Sequence, residues 1–192
     1  EFLTEFIARN NRMTDALAHR GPDKRSIQRL EGCHLGHTRL SILDPVGGGQ
    51  PMGDETGRFR IVFNGEIFNH PDLRGILESL GHRFHTRSDT EVLLHAYLQW
   101  GRSCVSRLNG QFAFAVWDQV GRTLFAARDR FGEKPLYYAR APRGHLLLSS
   151  EIKSLLAGEL LWPRIDEASV EAYLSLFYIP PDRTIYREVH CL

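Results

Sequence analysis

The sequence predicts an α+β domain in which helices toward both ends of the chain enclose strands joined by hairpin turns. Three strand-like runs, 111–117, 123–128 and 145–149, follow one another, and short turns containing Gly or Pro fall among them. An earlier run, 58–63, begins with alternating polar and apolar residues and becomes wholly apolar, which indicates a strand that enters the interior. Strands and helices arranged in this way are typical of α+β domains with packed sheets.

Helical patterns flank these strands. A weak pattern covers 5–18, and a clearer one covers 71–81, opened by a proline and closed by a glycine suited to a left-handed cap. Ser88-Asp89-Thr90-Glu91 is a capping-box sequence that predicts the start of another helix. Two further helices are predicted near 150–157 and 166–177.

Composition and charge narrow the function classes. The chain has 192 residues, 42% of them hydrophobic, which suits one ordinary domain with a sizeable core. Twenty-four Lys and Arg against 23 Asp and Glu leave a net charge of +1, so neither nucleic acid nor a membrane is expected as a partner. No apolar run approaches the roughly 18 residues that a membrane span needs. Three sparse cysteines favour the reducing cytoplasm over a disulfide framework.

Eight unusual strings follow one another along the chain. They are His19-Arg20-Gly21-Pro22-Asp23, Gly36-His37-Thr38-Arg39-Leu40-Ser41-Ile42-Leu43-Asp44, Gln50-Pro51-Met52, Phe63-Asn64-Gly65-Glu66-Ile67-Phe68-Asn69, Ser88-Asp89-Thr90-Glu91-Val92, Leu108-Asn109-Gly110-Gln111-Phe112-Ala113-Phe114-Ala115, Arg128-Asp129-Arg130-Phe131-Gly132-Glu133-Lys134-Pro135-Leu136-Tyr137-Tyr138 and Ser150-Glu151-Ile152-Lys153. Together they resemble the glutaminase domain of glutamine-hydrolysing asparagine synthetases, from about residue 13 to near residue 187.

The resemblance implies a fold and a domain organisation. The fold would be the four-layer αββα sandwich of N-terminal-nucleophile hydrolases, with two mainly antiparallel sheets. Residues 1–180 would form a class II glutamine amidotransferase domain, and 181–192 would begin a linker to a C-terminal synthetase domain. The Ser-Gly-Gly-x-Asp-Ser motif that binds pyrophosphate in such a synthetase domain does not occur in these residues.

The resemblance also implies a reaction. Glutamine would be hydrolysed to glutamate and ammonia, with no metal or cofactor in this domain. The ammonia would amidate aspartate in the C-terminal domain, which uses ATP and magnesium. The sequence leaves the acceptor substrate and the oligomeric state open, a homodimer included.

Hydrolysis of an amide requires donors that hold the developing oxyanion. Asn64 and Gly65 offer a side-chain amide and a backbone N–H at a strand end, and the resemblance implies that they form the oxyanion hole. An Asn-Gly pair is also common in hairpin turns. Here Glu66 follows and belongs to the same family string, which favours the functional interpretation.

The two charged ends of glutamine require partners of opposite charge. A guanidinium can bind the α-carboxylate through two hydrogen bonds, so Arg39 is the candidate, with a surface ion pair as the alternative. Asp89 alone would be a helix-capping residue, but the resemblance implies that Asp89 and Glu66 bind the substrate ammonium. It also implies that backbone groups of one segment line the pocket, namely Arg39, Leu40, Ser41, Ile42 and Leu43.

The first residues depart from the family pattern. Family members begin with a cysteine whose own α-amine activates its thiol, whereas this sequence begins Glu1-Phe2-Leu3-Thr4, with Phe2-Leu3 matching the end of the family's first strand. A truncated or re-engineered chain, processing or omission of the first residues, and a naturally inactive domain all remain open. None of Cys33, Cys104 and Cys191 is expected to replace the nucleophile. The alternative function is therefore a non-catalytic amidotransferase-like domain of a related amide- or lactam-forming ligase.

Two other patterns are given structural interpretations. Cys33-His34-x-x-His37 has zinc-binding residue types without a second cluster at a usual spacing, so histidines on a strand are expected. The run 47–51 lacks the Lys and Ser or Thr of a phosphate loop and predicts a mobile loop over the glutamine pocket.

Overall fold

The computed structural model describes residues 2–41, 43–181 and 183–192, which fall into two compact units. One unit combines the segment up to Leu17 with Pro135–Leu192, and the other is Ala18–Lys134. Every residue that the sequence analysis proposes for the site belongs to the second unit, named here the site unit.

The site unit contains a hairpin, a four-stranded sheet and two helices. A 3-10 helix, Ala18–Arg20, precedes the hairpin of β1 (Lys24–Leu30) and β2 (Cys33–Arg39). The sheet is antiparallel, in the order β3 (Met52–Gly53), β4 (Phe59–Ile67), β5 (Gly110–Asp118) and β6 (Thr123–Arg128). Between β4 and β5 the chain forms α2 (His70–Ser79), α3 (Asp89–Trp100) and a 3-10 helix, Gly101–Arg107.

The core of the site unit lies where α2 and α3 pack on β4 and β5. On β4 the buried apolar residues all lie at odd-numbered positions, Ile61, Phe63 and Ile67. Because side chains alternate across a strand, Asn64 and Glu66 project from the opposite face of β4. The apolar periodicity of the sequence thus fixes which face of the strand is available to a ligand.

The start of α3 is held by a network that the capping box only partly predicted. The hydroxyl of Ser88 accepts a hydrogen bond from the N–H of Glu91 (3.3 Å), as a capping box requires. The carboxylate of Glu91, however, accepts from the N–H groups of His85 and Thr86, each at 2.8 Å. The N–H of Ser88 donates instead to the hydroxyl of Thr86 (3.2 Å). These bonds fix the first turn of α3, where Asp89 lies.

The other unit is built from both ends of the chain. Its elements are α1 (Phe2–Asp15), β7 (Tyr137–Ala141), a 3-10 helix (Pro142–Gly144), β8 (His145–Ser149), α4 (Ile152–Ala157), α5 (Glu167–Leu176) and β9 (Val189–Cys191), with the antiparallel sheet order β8-β7-β9. Helix α1 is tied to the region of α4: Arg9 Nη1 donates to the Gly158 carbonyl (3.3 Å), Arg12 Nε to the Ala157 carbonyl (3.1 Å), and Ser154 Oγ to the Met13 carbonyl (2.8 Å).

Several predicted elements are confirmed and one is wrong. The strands predicted at 111–117, 123–128 and 145–149 correspond to β5, β6 and β8 within one or two residues. Phe2-Leu3 is not a strand end, because helix α1 already begins at Phe2. Within 181–192, where the sequence analysis placed the start of a linker, Val189–Cys191 pairs with β7, and the predicted domain boundary stays a prediction.

The fold class is confirmed: the domain is α+β, and the pairings between the named strands of the described residues are all antiparallel. Among the described residues, no helix has the length and apolarity needed to cross a membrane.

Candidate functional site

The side chain of Asn64 presents an unused donor inside the site unit. Asn64 lies on β4 opposite Ala113 of β5. Its Nδ2 atom is buried, and no group in the described ranges accepts a hydrogen bond from it. A buried donor without a partner costs about 1–3 kcal/mol, so this amide is available for an acceptor supplied by a ligand. An oxyanion is such an acceptor.

Gly65 is required by the backbone of the same strand. Its φ of +150° is one that residues with a side chain rarely adopt. A Cβ at this position would also overlap the carbonyl oxygen of Gln111 and lie 2.8 Å from the Cα of Phe112. The close approach of β4 to β5 at Gly65 therefore sets the position of Asn64 beside it.

Replacing Gly65 with alanine is expected to lower the free energy of unfolding by about 2–4 kcal/mol, through backbone strain and overpacking against β5. Urea unfolding measures the effect. The matched control is Gly75→Ala in α2, where a Cβ would meet nothing within 4 Å, and where alanine should be neutral or stabilising by up to about 1 kcal/mol. Equal changes in the two variants would contradict this account of Gly65.

Asp89 and Glu66 bring two carboxylates together. Asp89 is 5% exposed, and its Oδ2 accepts a hydrogen bond from the N–H of Ile67 at 3.1 Å. Burial raises the pKa of the Asp89 carboxyl above its ordinary value, and the charge of Glu66 adds to that rise, while the Ile67 N–H opposes it. A cation bound between the two carboxylates would offset both the burial of the Asp89 charge and its repulsion by Glu66. The substrate ammonium that the sequence analysis assigns to this pair has the required charge.

The guanidinium of Arg39 binds backbone carbonyls of the loop that follows β2. Nη1 donates to the carbonyl of Pro45 (2.9 Å), and Nη2 donates to those of Leu43 (3.0 Å) and Asp44 (2.6 Å). Arg39 is 7% exposed, so the surface ion pair that was its alternative interpretation is not what this side chain makes. Its binding of a substrate carboxylate stays a prediction.

The predicted pocket-lining segment after Arg39 is fixed by a residue that lies outside the segment. The N–H of Ser41 donates to Asp23 Oδ2 (2.7 Å), and Leu40 is exposed. Ile42, which the sequence analysis also placed here, lies outside the described residues. Sequence reasoning quoted the string that contains Asp23 but gave the residue no role. The structure shows that Asp23 fixes the backbone of the segment next to Arg39.

The loop after β2 is also tied to the start of α3. Asp44 Oδ1 accepts from the N–H of Gly47, and its Oδ2 accepts from the N–H of Arg87, both at 2.8 Å. The predicted mobile loop is therefore anchored at its base, two residues before Asp89. This tie brings the neighbourhood of Arg39 and that of Asp89 into one region of the site unit.

His34 and His37 lie on β2, as predicted for histidines on a strand. His37 Nε2 lies 3.3 Å from the carbonyl oxygen of Phe63, directly before Asn64. Burial lowers the pKa of His37 to about 4, so the ring is neutral at physiological pH and Nε2 can donate to that carbonyl. Sequence reasoning missed this contact, because 26 residues separate the partners.

The arrangement resembles the fold of a known amidotransferase. A solved structure of glutamine phosphoribosylpyrophosphate amidotransferase from B. subtilis, complexed with ADP and GMP, matches 69% of this chain and 31% of its own with a TM-score of 0.55 and 24% identity. The likeness shows the fold alone, and it agrees with the α+β fold that the sequence predicted.

The sequence comparisons define the family. The model of the glutamine amidotransferase domain matches residues 4–192, and the chain belongs to this family. It is 44% identical over 179 residues to asparagine synthetase [glutamine-hydrolyzing] 3 of Bacillus subtilis (strain 168), and 40% identical over 181 residues to enzyme 1 of that strain. An asparagine synthetase of Arabidopsis thaliana, number 3, is 42% identical over 139 residues.

These matches cover 91%, 94% and 72% of this chain, but only 28%, 28% and 24% of the relatives. The chain thus spans about a quarter of the length of the asparagine synthetases it matches.

Proposed function

We propose that this domain hydrolyses glutamine to glutamate and ammonia, and that the ammonia amidates aspartate in a larger, ATP-dependent asparagine synthetase. The observation that carries the proposal is the buried, unpartnered Nδ2 of Asn64 on the strand face shared with Glu66. An amide donor without a protein acceptor suits an oxyanion that exists only during the reaction.

The charges around this donor suit the ends of a free amino acid. Asp89 and Glu66 would bind the ammonium group. Arg39 would bind the carboxylate, either directly or through backbone N–H groups of the loop whose carbonyls it holds in place. A nucleophile attacking the side-chain amide carbon would then form a thioester, release ammonia, and be regenerated by water.

The described cysteines are poor candidates for that nucleophile. Burial raises the pKa of the Cys33 and Cys104 thiols to about 11, so both are protonated at neutral pH, and Cys104 is 0% exposed. Cys191 lies in β9 opposite Tyr137. The family's terminal cysteine, activated by its own amine, would supply the thiol.

No disulfide joins the three described cysteines, which suits a reducing compartment such as the cytoplasm.

The proposal is tested in the full protein that contains this domain. With glutamine, aspartate and ATP we expect glutamate and asparagine, and glutamate release within about twofold of the wild type in Cys33→Ala and Cys191→Ala. A tenfold or greater loss in either variant would point to an internal nucleophile. Amidation with added ammonia but without glutamate release would favour the non-catalytic alternative instead.

An exposed apolar surface supports a partner domain. The end of α5 and the residues after it leave several large apolar side chains exposed, among them Tyr173 (52%), Leu174 (71%) and Phe177 (84%). Large exposed apolar patches are typical of protein–protein interaction sites. The asparagine synthetases that this chain matches are several times longer than the chain. The partner of the exposed surface would therefore be the synthetase domain, which would receive the ammonia.

A further inference from the structure

The outer edge of β4 next to Asn64 is closed by side chains rather than by a strand. On one side β5 pairs with β4 along its whole length. On the other side β3 pairs only Met52 with Ile61 and Gly53 with Arg60, and no further strand pairing is found there in the described ranges. The backbone groups of Phe63 that face away from β5 therefore need other partners, since an unpaired buried backbone group is costly.

Two side chains supply those partners. Gln50 Oε1 accepts a hydrogen bond from the N–H of Phe63 at 2.6 Å. His37 Nε2 lies within hydrogen-bond distance of the Phe63 carbonyl, at 3.3 Å. Together they do for Phe63 what a neighbouring strand would do. They hold the backbone at the residue that precedes Asn64.

The same Gln50 amide reaches helix α3. Its Nε2 donates to Thr90 Oγ1 at 3.2 Å. Thr90 is 3% exposed and follows Asp89 in the first turn of the helix. One planar amide group thus joins the neighbour of Asn64 to the neighbour of Asp89.

This connection spans the two groups that would bind opposite ends of the substrate. The Asn64 amide would meet the oxyanion at the side-chain end of glutamine, and the Asp89 carboxylate would meet the ammonium. Because an amide group is rigid, the Gln50 side chain limits how far β4 and the start of α3 can move apart. A displacement of about 1 Å of a reacting group can cost up to 10²-fold in rate.

We infer that Gln50 is a positioning residue for glutamine hydrolysis, which sets the distance between the Asn64 donor and the Asp89 carboxylate while touching neither substrate end. The inference rests on the proposed function. A merely structural role would not predict different effects on kcat and KM when the whole link is removed and when only its helix end is removed.

The test compares Gln50→Met and Thr90→Val in the full protein. Gln50→Met keeps the length of the side chain and removes both hydrogen bonds. It should lower kcat for glutamine hydrolysis about 10- to 100-fold and raise the KM for glutamine, by displacing Asn64 and Asp89. Thr90→Val removes only the helix end of the link, so it should raise KM several-fold and leave kcat within about twofold. Gln28→Met on β1 is the matched control.

Added ammonia separates positioning from loss of fold, since ammonia bypasses glutamine hydrolysis. Ammonia-supported amidation should stay at the wild-type rate in both variants. Glutamine kinetics in Gln50→Met that equal those of Gln28→Met would overturn the inference, as would a parallel loss of the ammonia-supported rate in Thr90→Val. If Gln50→Met fails to fold, Thr90→Val decides: a raised KM supports the inference and a wild-type KM overturns it. A wild-type protein without glutaminase activity would overturn the proposed function as well.

Discussion

Replacing Asn64 with alanine is expected to lower kcat for glutamine hydrolysis about 10²- to 10³-fold, with little change in KM. The reason is the position of the lost donor, which is buried on β4 without an acceptor in the described part of the resting protein. A donor that is used only when negative charge develops on the substrate oxygen lowers the barrier and not the energy of the bound ground state. Steady-state assays of glutamate release by the full protein measure both constants.

Asn10→Ala is the matched control for this experiment. The Nδ2 atom of Asn10 is another buried amide without an acceptor among the described residues, but it lies on α1 in the other unit. Its removal should leave kcat unchanged. A variant Asn64→Ala that raises KM and keeps kcat would instead make Asn64 a ground-state binding residue, and the oxyanion assignment would be wrong.

Asp89→Asn is expected to weaken the binding of glutamine by about 2–5 kcal/mol, the range for removing one member of a buried charge pair. Asparagine has nearly the same shape, and its side-chain oxygen can still accept from the N–H of Ile67. The loss would therefore report the missing charge rather than a changed helix start. The KM for glutamine, or calorimetry with glutamate, measures the effect.

The pH dependence gives a second measurement of Asp89. Only the ionised carboxylate attracts the substrate ammonium, and the pKa of Asp89 is raised. Binding should therefore weaken as the pH falls, beginning at a higher pH than an ordinary aspartate would give, and this dependence should be lost in Asp89→Asn. Asp118→Asn, which removes a carboxylate bonded to Arg58, is the control. Equal binding by Asp89→Asn and the wild type would exclude Asp89 from the site.

The elements around the site were predictable because local sequence determines them. The apolar run before Asn64 forms β4, and Ser88 caps α3 as its sequence indicates. Of the hairpin of β1 and β2, only a strand carrying His34 and His37 was predicted, because only Leu35 and Arg39 among the hairpin residues are buried and the apolar periodicity is correspondingly weak.

The contacts of the site were less predictable than its residues. The string around Arg39 indicated a substrate-binding guanidinium, but its three bonds to the loop carbonyls depend on how residues 43–45 close over it. Gln50 and Thr90 are 40 residues apart in the chain. A single sequence carries no signal for a hydrogen bond between two such distant side chains.

The tie between α1 and the region of α4 has a consequence for synthesis on the ribosome. Arg12 and Met13 emerge early, but their partners Ala157 and Ser154 follow more than 140 residues later. Chains are extended at about 5–20 residues per second, so α1 waits for several seconds without the surface that covers it. The segment Ala18–Lys134 needs no such delay, because its strands and helices find their partners within it. The segment Ala18–Lys134 should therefore acquire protection from proteolysis before α1 does.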